Sequence, residues 1–530
     1  MANFKLFWIL FFACFFQIIY SQQNPSILNG NSISATLNDE GRLFHDFLQS
    51  SWGYKLTGES GHLIYSGGLW FGGTNQSGDL KLASQLYGTH REFYRGPFST
   101  TGQYLDTSYS YTYDSGIWTI KKSEITYHIA NYNQPGYIVP EAILNWPGNG
   151  NPSIGVATQL APFVDINNNG IYEPYEGDYP CIKGDMASYQ IMHEDREHLS
   201  TGGEKIGIEI HLMIYHVQAS NYIDSTTFID VMVINRGQNQ YEDFKTTFYL
   251  DPDIGFPEDD LLGSAPNKNL MYVYNKFPYN QQPHVPSDNV TALGIVSLNK
   301  DIEYSGSFFR QDIAIDPDYG PPSSPEDFWN YMNGKWLDGS YWTYGGQGFN
   351  GTIPTHHIYD GNPYLETGWT ELDIDGNGTS NEAGDRSFFI TSNGERLHPG
   401  DTLLYNYAII LNQEGNNLEN VQGLLNYADS IQQYFDNTIF PCYNNGSAGL
   451  TQELEKERFN IYPNPAKSQV KIVWEDIEVD KFVLLSYQGN VIQAIPVNNA
   501  KGEVEMNVNH LASGIYFIRL GKEIRKLVIQ

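Results

Sequence analysis

The 530-residue chain has little cysteine, little positive charge and, beyond Ile19, no long apolar run. Three cysteines are too few for a disulfide-framed scaffold or a cysteine-rich metal cluster. Thirty Lys and Arg stand against 61 Asp and Glu, a balance that argues against nucleic acid or an anionic membrane surface as partner. After Ile19 nothing approaches the roughly 20 apolar residues of a membrane helix, so no later membrane span is expected. Catalytic signatures are missing too. There is no G-x-S-x-G elbow and no phosphate loop. In "HEDREH", His193 and His198 are five apart, which on a helix puts the imidazoles about 140° apart and does not suit zinc. His211 and His216 share that spacing and face opposite sides of a strand. Glycoside hydrolysis needs two facing carboxylates, and 61 acids single out no pair.

What is present begins with a leader over 1–21. Lys5 supplies its positive start, Leu6 to Ile19 its apolar core, and Ser21 a small residue for cleavage. Removing Lys5 with the leader leaves 29 of the 30 basic residues against all 61 acids. Cys14 leaves as well. Cys181 and Cys442 remain, and export permits them to pair or to stay as thiols.

The rest reads as β structure broken by Gly, Pro and Asn clusters. "HLIYSGGLWFGG", "IGIEIHLMIYHVQ", "TTFIDVMVINRG", "DFKTTFYLDPD" and "TLLYNYAIILNQ" are strand candidates. The expected fold is mainly all-β: one or two β-sandwich domains, divided as 22–200 and 201–441, with one helix near Leu418 to Phe435. A polar linker, 442–456, separates this body from a module over 457–530. About seven short strands in that module suggest a small sandwich.

The module resembles a known family. "FNIYPNPAKSQVKIVW", with the Tyr462-Pro463-Asn464-Pro465 opening, "HLASGIYFIRL" and the closing "KLVIQ" are similar to the type A sorting domain of type IX secretion in Bacteroidetes-type bacteria. The resemblance implies an Ig-like sandwich, the type IX translocon as partner, and a protein secreted or held on the outer-membrane surface. Segments of the body, such as "GHLIYSGGLWFGG" and "FWNYMNGKWLDGSYWTYGG", resemble large secreted proteins of those bacteria that have no assigned activity.

Three acidic clusters carry the cofactor expectation. "DINNNGIYEPYEGD" fits the calcium-loop template D-x-[DN]-x-[DN]-G-x5-E. Asp165, Asn167 and Asn169 would give side-chain oxygens, Ile171 a carbonyl and Glu176 the closing carboxylate, with Glu173 or Asp178 as an extra or alternative ligand. Pro174 obstructs a following helix, so the loop is expected between non-helical elements. The second cluster is "DPDIGFPEDD", with Asp251, Asp253, Asp259 and Asp260. The third is "DIDGNGTSNEAGD", where Asp373, Asp375 and Asn377 alternate and Asp385 is one possible closing ligand. Such alternation also suits ordinary Asn/Gly turns and solvated acids.

Aromatic residues make up 14% of the chain, densest in "GKWLDGSYWTYGG". Rings beside acids and amides suit a sugar face, and they equally suit a strand core. The sequence therefore leads to a non-enzymatic, calcium-stabilised β-sandwich protein of the cell surface or medium, serving adhesion or binding to a glycan or other surface ligand. The alternative is a secreted hydrolase acting on polysaccharide.

Overall fold

Strand Ile208–His216 shows how the body is built. Its side chains alternate across the sheet. Ile208, Ile210, Leu212 and Ile214 enter one apolar core, while Met213 and Tyr215 enter a second. A strand buried on both faces reads as a nearly continuous apolar run, which is how it looks in sequence.

The computed structural model describes residues 25–38, 40–46, 51–58, 61–86, 91–102, 116–279, 290–308 and 317–438 of the body. In the C-terminal module it describes 459–464, 466–474, 481–486, 491–496, 502–511, 514–520 and 523–529. The leader, the linker 442–456, Cys14, Cys442 and Pro465 lie outside the described residues. Contacts divide the chain into two compact units, 1–449 and 450–530.

Two antiparallel sheets face each other in the body. The first runs Ser26–Leu28, Ile33–Leu37, Tyr54–Leu56, Ile64–Thr74, Tyr241–Pro252, Ser387–Ser392, Ile302–Phe308. The second runs Asp260–Ala265, Leu270–Asn275, Ala292–Ser297, Thr402–Asn412, Thr227–Asn235, Ile208–His216, Met186–His193, Tyr94–Arg95. Phe248 of the first meets Tyr407 of the second across the core, ring centroids 5.1 Å apart. The division expected near residue 200 does not separate them. Each sheet contains strands from both sides of it, Ile64–Thr74 pairing with Tyr241–Pro252 in the first and Met186–His193 with Ile208–His216 in the second, because neighbours in a sandwich are chosen by packing rather than by sequence order.

Each outer face is also covered. Over the first sheet lie helix α3, Pro325–Tyr331, and an aromatic layer. Trp70 stacks on Tyr249 at 5.6 Å and meets Phe328 edge-on at 5.0 Å. Over the second lie α1 (Lys122–Asn131), α2 (Glu141–Leu144) and α4 (Asn417–Asn437). The expected helix is α4. It buries Val421, Leu424, Leu425, Ala428 and Ile431 as one stripe. The Asn416 side chain caps it by accepting from Leu418 N and Glu419 N, both at 3.0 Å. The shorter helices were not expected, since α1 mixes β-branched and aromatic residues with little apolar periodicity.

The C-terminal unit is the expected seven-stranded module. Three strands (Phe459–Tyr462, Gln469–Trp474, Gly502–Asn507) form one sheet and four (Val491–Pro496, Lys481–Ser486, Gly514–Leu520, Glu523–Ile529) the other. Val470, Ile472, Trp474, Phe482, Leu484, Ile518 and Leu527 fill its core. Asn464 of the opening motif accepts from Val528 N at 2.8 Å and Ala466 N donates to Val528 O at 2.8 Å, which pins the entry to the last strand.

Candidate cation-binding loops

The first loop is closed by a two-residue antiparallel pair, Phe163–Val164 with Tyr179–Pro180, so its flanks are strands. Inside it, each side chain is within reach of a backbone amide a few residues on. Asp165 Oδ2 accepts from Gly170 N at 2.6 Å, Asn167 Oδ1 from Asn169 N at 3.1 Å, and Asn169 Oδ1 from Ile171 N at 2.8 Å. Gly170 supplies the left-handed turn, φ +79°, that lets Asp165 reach it. Asp165 Oδ1 is buried and has no hydrogen-bond partner among the described residues.

The loop's carboxylates divide between two tasks. Asp178 is fully buried and ties the loop's two ends, accepting from Ile166 N and Glu173 N at 2.8 Å each. Burial raises its pKa, the two amide bonds pull it back, and Asp165 and Glu173 add to the rise. Glu173 accepts from the Asn167 and Asn169 amides. Glu176 is exposed on the turn Pro174–Glu176, and Ile171 is exposed as well. His128 of α1 fixes the assembly from below, its Nε2 lying 3.0 Å from the Asp178 carbonyl.

The third cluster repeats the first in miniature. Asp373 Oδ1 accepts from Gly378 N at 2.9 Å, the same five-residue reach, and Asp375 Oδ1 accepts from Asn377 N at 2.9 Å. Asp385, the possible closing ligand, lies beyond the Asp373–Gly378 turn. Its charge acts on Asp260, whose carbonyl accepts from Gly384 N at 3.2 Å. The second cluster is interior: Asp251, Asp253, Asp259 and Asp260 are all buried. Asn275 Nδ2 donates to Asp259 Oδ1 at 2.9 Å and to Asp260 Oδ1 at 3.3 Å, and Ser387 Oγ donates to Asp251 at 2.7 Å. Burial, then Asp259 and Asp253, push the Asp260 carboxyl well above its usual range. Among the described residues no three acidic, histidine or cysteine side chains already stand together as a metal shell.

Sequence reasoning missed a set of buried carboxylates that act as latches. Glu92 accepts from Ser200 N, Thr201 N and Ser84 N. Glu194 accepts from Ile206 N, Gly207 N and Ile208 N, and Glu371 from Leu262 N and Arg386. Within "HEDREH", His193, Glu194 and His198 are buried and Glu197 is exposed, so the stretch anchors the chain through three of its polar side chains. Its His198 donates from Nδ1 to the Leu82 carbonyl at 2.8 Å and from Nε2 to the Glu194 carbonyl at 2.9 Å. No local signal marks these residues, because their partners come from distant strands. In the aromatic stretch, Trp336 and Trp342 are core residues, while Tyr341 and Tyr344 are 58% and 43% exposed.

Comparison with known proteins bears on the C-terminal unit. Residues 460–530 match the family of the secretion system C-terminal sorting domain. The protein carries a type IX sorting domain. That places it outside the cell, released or attached to the outer-membrane surface. No helix among the described residues is long and apolar enough to cross a membrane. No curated protein matches the chain. Among solved structures, a polysaccharide lyase is 9% identical with a TM-score of 0.18, covering 61% of this chain. The match spans 34% of that lyase, and so low a score carries no argument about fold or activity.

Proposed function

We propose that this exported protein is a non-enzymatic β-sandwich whose surface loops are clamped by calcium and which serves adhesion or binding outside the cell. The observation that carries the calcium part is Asp165. One of its oxygens is held by Gly170 N while the other is buried without a partner, in a loop with alternating Asn oxygens and Glu173 beside them. A hard cation takes six to eight such oxygens. Extracellular calcium is millimolar, so even a weak site stays filled. The loop of Asp373, Asp375 and Asn377 is a second, more exposed place for an ion. For a glycan or other surface ligand, the exposed rings Tyr341 and Tyr344 are the contacts we favour, with Lys335 Nζ 5.1 Å from the Tyr341 ring centre.

Thermal melting of the full exported chain in calcium and in chelator tests the clamp. A ligand at a hundred times its Kd contributes about 2.7 kcal/mol, which predicts a melting temperature higher in calcium by a few degrees. Asp165→Ala should remove most of that difference. Equal melting in both buffers would overturn the clamp. A glycan array tests the rest: binding lost in Tyr341→Ala and Tyr344→Ala supports the adhesion reading, and sugar cleavage would replace it with the hydrolase.

A further inference from the structure

One carboxylate of the second sheet sits between an amine and an amide. Asp230 Oδ2 lies 2.6 Å from Lys183 Nζ, and Asp230 Oδ1 accepts from Asn406 Nδ2 at 2.5 Å. Asp230 and Asn406 are directly opposed in neighbouring strands, Thr227–Asn235 and Thr402–Asn412. Lys183 reaches them from the loop before strand Met186–His193. All three side chains are largely withdrawn from solvent.

Each partner is held firmly. Asn406 N donates to Asn299 Oδ1 at 2.7 Å and its carbonyl accepts from Leu298 N at 2.8 Å. Beside Lys183, Asp185 N donates to the His216 carbonyl at 2.8 Å. Gly184 has φ +71°, and a Cβ there would lie 2.4 Å from that same carbonyl oxygen, so the loop is pressed onto the sheet. Two residues earlier Cys181 is buried and disulfide-bonded.

We propose that Lys183 and Asn406 join in an intramolecular isopeptide bond, with Asp230 as the proton shuttle. Asp230 touches both the attacking nitrogen and the departing one, which is what a group acting first as base and then as acid requires. The Lys183 Nζ–Asn406 Cγ bond forms and the Asn406 Cγ–Nδ2 bond breaks. Two protons leave Nζ by way of Asp230 and end on the departing nitrogen, which goes as ammonium. The reaction balances with no oxidant or cofactor. A lysine amine becomes a competent nucleophile once relieved of its proton in a desolvated place, and fixed neighbours supply the proximity that makes a slow amide exchange proceed. The link would tie the 181–185 loop covalently to a central strand, a useful reinforcement for a protein exposed to shear and proteases.

Mass spectrometry decides it. The exported full-length chain should lose ~17 Da, one ammonia, and digestion should yield a branched peptide joining Lys183 to Asn406. Asp230→Asn, close in shape, should keep the mass of its own sequence, as should Lys183→Arg. Cooperative melting of those variants shows that folding is intact. Gln22, exposed by leader removal, can cyclise with the same mass loss, so the linked peptide is the deciding readout. Separate Lys183 and Asn406 peptides from folded wild-type protein would overturn the proposal, whatever the intact mass.

Discussion

At the scale of single residues, His198 has two ring nitrogens that both face carbonyl oxygen, and Glu194 Oε2 lies 3.2 Å from Nε2. Only the doubly protonated ring can donate to both sides. Burial opposes that charge, but the Glu194 hydrogen bond and the Glu194 and Glu92 charges outweigh it and raise the pKa to about 9. The unfolded ring titrates near 6.5, so this contribution is complete below pH 6.5 and is lost as pH rises through 9. Buried His216 and His193 act in the opposite sense. Burial lowers them to about 3 and about 4, so the unfolded chain takes up protons first as pH falls below 6.5. Melting temperature should therefore peak near neutrality and fall on both sides. His198→Gln should flatten the alkaline limb, which differential scanning calorimetry between pH 6 and 9 would read. An alkaline limb unchanged in that variant would contradict the assignment.

At the scale of elements, α4 and the aromatic layer do similar work on opposite faces of the sandwich. Leu424 and Trp342 are both fully buried. Leu424→Ala should cost about 2–5 kcal/mol and Trp342→Ala about 3–5 kcal/mol, by lost transfer energy plus cavity. Tyr341→Ala, at an exposed ring, should stay within about 0.5 kcal/mol. Chemical denaturation of the three variants checks this ranking. It also separates the two roles of the aromatic stretch, since a ligand site on Trp342 would require that ring to be accessible.

At the scale of the whole molecule, the sorting unit and the body answer different demands. The sorting unit has its own core and its own pair of sheets. Removing 460–530 should leave the protein inside the outer membrane, seen by cell fractionation as periplasmic accumulation with loss from surface and medium. Normal secretion of the truncated chain would contradict the role of the tail.

What the sequence determined by itself is local. The acid-amide alternation ending at Gly170 or Gly378 dictates a turn, because each Asp reaches an amide five residues on. Apolar runs broken by Gly, Pro and Asn clusters announced the strands, the stripe from Val421 to Ile431 announced α4, and the sorting motif was legible outright. Tertiary structure decided the rest. Nothing within a few residues of Asp385 says that its charge bears on Asp260, or that Glu92 and Glu194 are interior latches. Nor does local pattern reveal Asn406 beside Asp230, 176 residues away. Local spacing is set by backbone geometry within one turn of chain, whereas these meetings depend on which strands the two cores bring side by side, a choice made by packing the whole sandwich at once.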